Sequence, residues 1–381
     1  MFNERFENRL ILQERSGLYR RPPEIRERTG KYLLIGSTRC LNFASNDYLG
    51  LADSPELKRT LVRNIRKSGT SSSSSRLVTG STALIREAEK ACARFFGYED
   101  ALFCPSGFQA NLALLSALFE PGDRVLIDRH IHASSVKGVA LSGAEVAGFR
   151  HGDLLHLEKK LQQGTERQAA VVTESIFSMD GDLLDTPLLA RLKGRYGFLA
   201  IVDEAHAFGA IGPGGRGIAA GVADIAVGTF GKAFGLFGAF ILLTATVREY
   251  LLNFSAPVLF TTALPSSHAG AVLDVLTIVA DAHERRARLR DASRFMRESL
   301  RAAGFRAFGD AHILGVEIGD EQEATRVARG MRERGILVFP ARYPTVPLHH
   351  AILRIGMTAL HDQEDCGCFV RSLREAFDRK E

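Results

Sequence analysis

The residues best suited to covalent chemistry lie in the middle of the chain. Lys232 sits in VGTFGKAFG, Val227 to Gly235, between glycines and apolar residues and with no acid beside it in sequence. An ammonium group at a crowded, partly desolvated site is costly, so its pKa falls and the free amine can attack or condense with an aldehyde. A lysine on a solvated turn would carry the same local sequence, and the choice between the two is made upstream. There the apolar, β-branched run of IVDEAH ends at Asp203, with His206 just beyond it. Side chains at the carboxyl ends of strands in an open parallel sheet stand where such folds bind ligands.

A carboxylate, an imidazole and a lysine so arranged suit pyridoxal 5'-phosphate. The carboxylate would keep the pyridine nitrogen protonated, making the ring an electron sink, while the lysine would hold the aldehyde as an imine. The phosphate needs a cradle, and Ser106-Gly107-Phe108 opens a helix directly after a strand, offering backbone N–H groups and the positive end of a helix dipole. Ser178, Thr229 and Thr262 could add hydroxyls. His132, in DRHIHASS, follows another strand and could stack on the ring, with His130 beside it as the alternative. VDEAH is also the acidic motif of helicase-type ATPases, which need an upstream GxxxxGK[ST] loop. Here Gly231-Lys232 lies downstream, has Ala226 where the first glycine belongs and is followed by Ala233, which argues against that reading.

The elements that must hold these groups are legible in the surrounding pattern. At 381 residues, 45% hydrophobic and 24% charged, the chain can bury a large core and form about two domains. Its net charge of +5 is spread along the sequence, which does not ask for nucleic acid but suits anionic small substrates. Five cysteines in no disulfide spacing favour a reducing compartment, and Cys366-Gly-Cys368 lacks the second pair of a zinc site. The charged amino end is no signal peptide, and the apolar run Ala233 to Ala245 is too short to span a bilayer, so a cytoplasmic protein with no membrane partner is expected.

Phe2, Phe6 and Leu10 predict an amphipathic first helix whose apolar stripe docks on a larger body. Ser54-Pro55-Glu56 starts a helix to about Lys67. From Ala101 to Leu243, short apolar strands alternate with helices, which predicts an α/β fold with a mostly parallel, two-sided sheet. A long helical region after Pro265 should bridge to a smaller α+β domain with strands at Ile313 to Ile318, Ile336 to Phe339 and Ile352 to Ile355. The expected division is 1–50, packing with the small domain, then 51–290 as the large cofactor domain and 291–381 as the small one. GTSSSSSRLVTG reads as a site loop or a short linker.

Taken together, FASNDYLGL, SRLVTG, PSGFQAN, DRHIHAS, TESIFSMDGD, IVDEAHAFGAIGPGGRG, GTFGKAFG, FTTALP, YPTVP and LRI run nearly the length of the chain. They resemble, in order, the α-oxoamine synthases, a family of fold-type I pyridoxal-phosphate enzymes. The resemblance implies Lys232 as the imine-forming lysine, Asp203 on the pyridine nitrogen, His206 at the ring hydroxyl and His132 stacked on the ring. It further implies Gly107, Phe108, Ser178 and Thr229 around the phosphate. Thr261 and Thr262 would reach the phosphate of a neighbouring subunit, hence a homodimer with shared sites. Arg354 would take the amino acid's carboxylate with Asn46 nearby, and Arg20 aligns loosely with an arginine that meets the far carboxylate of a pimeloyl chain.

The implied reaction condenses an amino acid with an acyl thioester, expelling the thiol and carbon dioxide to leave an α-amino ketone. The sequence is most similar to the branch that joins L-alanine to pimeloyl, on coenzyme A or a carrier protein, in biotin synthesis. Two departures bear on specificity. Ser73-Ser74 replaces the family's glycine pair, while Ser81 and Ile85 stand where larger polar or histidine side chains are usual. Aminolevulinate synthase, 2-amino-3-ketobutyrate ligase and fatty-acyl amino-ketone synthases are therefore the alternatives within the family. A non-catalytic binding subunit is the alternative outside enzymes, and it would ordinarily lack the lysine.

Overall fold

The computed structural model describes residues 2–163 and 169–378. The chain divides into two compact units, one of Ser54–Phe177 and Leu183–Arg286, the other of Met1–Asp53, Ser178–Asp182 and Ala287–Glu381.

The first unit is built on a seven-stranded sheet. From one edge to the other its strands are Asp100–Cys104, Ala239–Leu243, Ile225–Thr229, Leu199–Asp203, Ala169–Glu174, Arg124–Asp128 and Glu145–Phe149. Only Ala239–Leu243 runs against its neighbours. The inner strands are mostly buried, Ile225–Thr229 and Ala239–Leu243 at every residue. That is why they read as continuous β-branched runs rather than as alternation. Glu145–Phe149 escaped the sequence reading because it is an edge strand whose first two residues, Glu145 and Val146, face solvent. Helix boundaries follow local chemistry. Ser54 Oγ accepts from the Leu57 N–H with Pro55 next in line, and Gly97 closes Ala83–Phe96 in the left-handed conformation at φ 81°. The helical stretch after Pro265 is two helices, Ser266–Ala280 and His283–Ala302; the first is largely buried and the second presents its arginines to solvent.

The serine-rich segment is an anchored loop. Ser72 Oγ donates to the Ala263 carbonyl at 2.7 Å, Ala263 N–H donates to the Ser74 carbonyl, and Ser75 bridges Thr262. Ser73 takes φ +50°, a left-handed value that glycine adopts without strain, and Ser71 Oγ accepts its N–H.

The second unit holds two four-stranded sheets. One runs Ile25–Thr29, Tyr32–Ile35, Thr38–Asn42, Ile336–Leu337, and the other Ala307–Phe308, Ile313–Gly319, Ala351–Gly356, Phe339–Ala341. The single strand expected from Ile336 to Phe339 is therefore two, divided between sheets around Val338. The first helix, Phe2–Arg15, corrects an expectation: none of its residues is buried, and Phe2, Phe6 and Leu10 stay exposed. Its periodicity specified a helix, but among the described residues nothing covers the stripe. The turn after it is held, with Arg342 donating to the Gly17 and Tyr19 carbonyls. Among the described residues no helix is long and apolar enough to cross a membrane, and all five cysteines are free thiols.

Candidate active site

Lys232 stands on a turn whose flanks are locked into the core. Phe230 and Phe234 are both fully buried, their rings packing edge to face at 5.7 Å, and Phe230 also packs on Phe240 at 4.7 Å. Phe230 N–H donates to the Gly238 carbonyl, and Leu236 N–H donates to the Phe230 carbonyl. Gly228 lets Phe240 in, since a Cβ there would lie 2.3 Å from its ring. The turn thus presents the lysine from a packed base. Its Nζ lies 2.7 Å from His206 Nε2.

The lysine is not without counter-charge, as its sequence neighbours suggested. Asp203 and Glu174 end adjacent parallel strands in register. The Glu174 carboxyl is buried and pushed well above its ordinary value, chiefly by burial and then by the Asp203 charge, with Lys232 opposing. Sequence proximity could not reveal this, because the acids arrive on neighbouring strands. Asp203 Oδ1 accepts from the Ala205 N–H at 2.9 Å and Oδ2 from Asn111 Nδ2 at 2.8 Å. His132 caps the helix Ala133–Ser142, and its ring meets Phe108 edge-on at 6.2 Å. Its pKa is lowered, first by desolvation and further by Lys232, with Asp203 pulling the other way.

His130 goes elsewhere, stacking on His151 at 4.0 Å while Asp128 bonds both its backbone and the His151 ring. Glu204, next to Asp203, is a structural acid. Fully buried, it accepts from the Ile218 and Ala219 N–H groups, and burial pushes it up to about 7.

The helix Gly107–Leu118 starts as expected, with Ser106 Oγ accepting from the Gln109 N–H. Among the described residues the Gly107 and Phe108 N–H groups have no bonded acceptor, and a Cβ on Gly107 would meet nothing closer than Thr229 Cβ at 3.9 Å. Open space at a helix amino end with two free donors fits a phosphate. Thr229 stands beside this cradle. Its hydroxyl donates to the Gly238 carbonyl at 2.9 Å and accepts from Gly231 N–H, which braces the lysine turn. Thr261 is half-buried and Thr262 exposed, on a surface with Phe260.

The remaining candidates belong to the second unit. Arg354, 4% exposed, donates from Nε to the Ser178 carbonyl at 2.5 Å and from Nη2 to Asn46 Oδ1 at 3.0 Å. Ser178 thereby meets Arg354 through its backbone. Tyr48 donates to the same Asn46 oxygen at 3.1 Å, its hydroxyl pushed up to about 12 by burial. Among the described residues no carboxylate pairs with Arg354, so its charge is met by neutral dipoles alone. Arg20 is exposed and donates to the Tyr343 carbonyl at 3.3 Å.

Three buried groups, Asn111, Ser134 and Glu174, were not singled out from sequence. Glu174 had a readable signal, since VVTE ends a strand in an acid as IVD does.

Known proteins share the fold and much of the sequence. The chain belongs to the aminotransferase class I and II family, whose profile matches residues 38–373. The 8-amino-7-oxononanoate synthase of Chlorobaculum parvum is 41% identical over 354 residues, 90% of each chain. The serine palmitoyltransferase of S. paucimobilis, solved with bound pyridoxal phosphate, superposes with a TM-score of 0.91 at 27% identity, covering 98% of this chain and 96% of its own. The 8-amino-7-oxononanoate synthase of Francisella tularensis does so with a TM-score of 0.77 at 30% identity, covering 89% and 98%. Within the family, this chain is an enzyme of the α-oxoamine synthase type.

Proposed function

We propose that the enzyme uses pyridoxal 5'-phosphate to condense L-alanine with a pimeloyl thioester, releasing carbon dioxide and forming 8-amino-7-oxononanoate for biotin synthesis. The observation that carries the reading is Lys232 Nζ set 2.7 Å from His206 on the strand-end layer that also holds Asp203. Relatives named for this activity at about 40% identity support the choice of substrates.

When bound, the cofactor supplies an electron sink for a carbanion at the amino acid's α-carbon. Asp203, its two oxygens held by Asn111 and Ala205, would face a protonated pyridine nitrogen as its acid partner. Gly107 and Phe108 offer their N–H groups to the phosphate. Lys232, once its amine is free, takes the α-proton, and His206 at Nε2 orients that amine. Arg354 receives the amino acid's carboxylate through a planar fork that lysine would not reproduce. Thr262, exposed in this chain, would reach the phosphate of a second copy in a cytoplasmic homodimer of shared sites.

Borohydride treatment should bleach the yellow protein and fix the cofactor on the peptide containing Lys232. Lys232→Ala should lose that label and at least about a thousandfold in turnover, the scale of losing a covalent catalytic group. Unlabelled wild-type protein, or full turnover by the variant, overturns the reading. A second substrate assignment, serine with a long acyl thioester, is favoured by the higher TM-score to the palmitoyltransferase. Carbon dioxide release across a panel of amino acids and acyl thioesters separates the two.

A further inference from the structure

The hydrogen bonds behind the strand-end layer have a direction that can be deduced atom by atom. As a carboxylate, Asp203 only accepts, so the Asn111 atom 2.8 Å from Oδ2 must be its NH₂ group. The same NH₂ lies 3.0 Å from Ser134 Oγ and spends its second hydrogen there. Ser134, now accepting from Asn111, has one hydrogen of its own, and its remaining neighbour is His132 Nδ1 at 2.6 Å. The Ser134 backbone N–H also faces that nitrogen, at 3.3 Å. Two donors converge on Nδ1, so the imidazole is left with its proton on Nε2. Asn111 is 3% exposed and Ser134 is fully buried, so water does not compete for these bonds. The His132 backbone is fixed independently, its N–H donating to the buried Glu174 carboxyl.

We infer that Asn111 is a positioning residue which, through Ser134, ties the charge on Asp203 to a single Nε2–H tautomer of His132. That leaves a hydrogen-bond donor and no acceptor on the outer side of the His132 ring. Two groups assigned separately, one to the pyridine nitrogen and one to the ring face, are then one unit oriented by a single amide. The identity of the ring they hold rests on the function proposed above; the bond direction does not.

Nitrogen-15 resonances of His132, assigned by comparison with a His132→Gln protein, test the inference in the full chain before cofactor is added. Wild type should show Nδ1 as the unprotonated nitrogen and Nε2 as the protonated one. Ser134→Ala and Asn111→Ala should each raise the minor tautomer several-fold, and Ser134→Thr, which keeps the hydroxyl, should restore the wild-type pattern. With cofactor, Asn111→Ala should weaken binding by about tenfold to a hundredfold, as expected for losing a hydrogen bond to a charged group. Combined with Ser134→Ala the losses should fall short of additivity, because the same chain is broken twice. A wild-type His132 protonated on Nδ1, or Asn111→Ala with unchanged resonances and cofactor affinity, overturns the inference. Should Asn111→Ala fail to fold, the Ala and Thr variants of Ser134 decide it by the same resonances. A protein that shows the predicted tautomer but takes up no cofactor would instead defeat the proposed function alone.

Discussion

Two buried arginines, one in each unit, show how burial alone misleads about function. Arg76 is 8% exposed and lies 2.7 Å from Glu89, which is itself fully buried and also bound by Arg248 at 3.0 Å. Arg86 joins the network through Asp100. Every charge there has an opposite charge, and the cluster ties the SRLVTG segment to the helix Ala83–Phe96. Arg354 is buried as deeply, yet among the described residues it meets the Ser178 carbonyl, the Asn46 amide oxygen and the Tyr48 hydroxyl, and no carboxylate. Neutral dipoles hold a guanidinium in place without cancelling its charge, so the protein bears a desolvation cost that an anionic ligand can offset. Of these two arginines, the paired one serves architecture, and the one met by dipoles alone keeps a charge that a ligand could satisfy.

The sharpest way to break this comparison is to remove each arginine and ask what is lost. Arg354→Ala should lower kcat/KM by about a thousandfold, roughly 4 kcal/mol for a desolvated charge-assisted pair, with Arg354→Lys in between. Its thermal midpoint should hold or rise, because an uncompensated buried charge has gone. Arg76→Ala should do the reverse and cost about 3 kcal/mol of stability in denaturant titrations, by stranding part of the Glu89 charge. It should leave kcat/KM near wild type at temperatures where it is folded. Equal losses of activity, or an Arg354 variant as unstable as that of Arg76, would erase the distinction.

Glu204 extends the comparison to an acid, since its buried carboxylate also meets neutral donors, the Ile218 and Ala219 N–H groups and the Ser175 hydroxyl, yet holds architecture. Burial raises its pKa from 4.5 to about 7. The folded state therefore retains a proton that the unfolded chain has released. That contribution is fully present below pH 4.5 and lost as pH rises through about 7. The loss amounts to about 3 kcal/mol by linkage. Unfolding titrations at pH 4.5 and pH 8 should show Glu204→Gln losing less stability than wild type over this interval, and parallel losses would refute it. The smallest effect should come from Asn46→Ala, which removes one neutral acceptor from Arg354. About a tenfold rise in KM for the amino acid with little change in kcat is the expected result.

How much of this was legible in sequence varied with how local the cause was. The lysine turn, the strand ending in Asp203, the Ser106 cap and the glycine-terminated helix were all visible, because each depends on residues within a few positions. The bond from Thr229 to Gly238 was not legible, because it crosses a turn whose closure the sequence does not display. The exposed stripe of the first helix was misread for the opposite reason: periodicity predicts an apolar face but not whether a surface exists to cover it.

The sequence alone determined the alternation of strands and helices, and hence the layer on which Lys232, Asp203 and His206 had to lie. Backbone propensity and side-chain period are properties of short stretches. Tertiary structure alone decided which groups share charge and hydrogen bonds: Glu174 beside Asp203, Asn111 between Asp203 and Ser134, and Arg354 among dipoles. Those pairings join residues tens to hundreds of positions apart, and they exist only once the sheet has fixed their register.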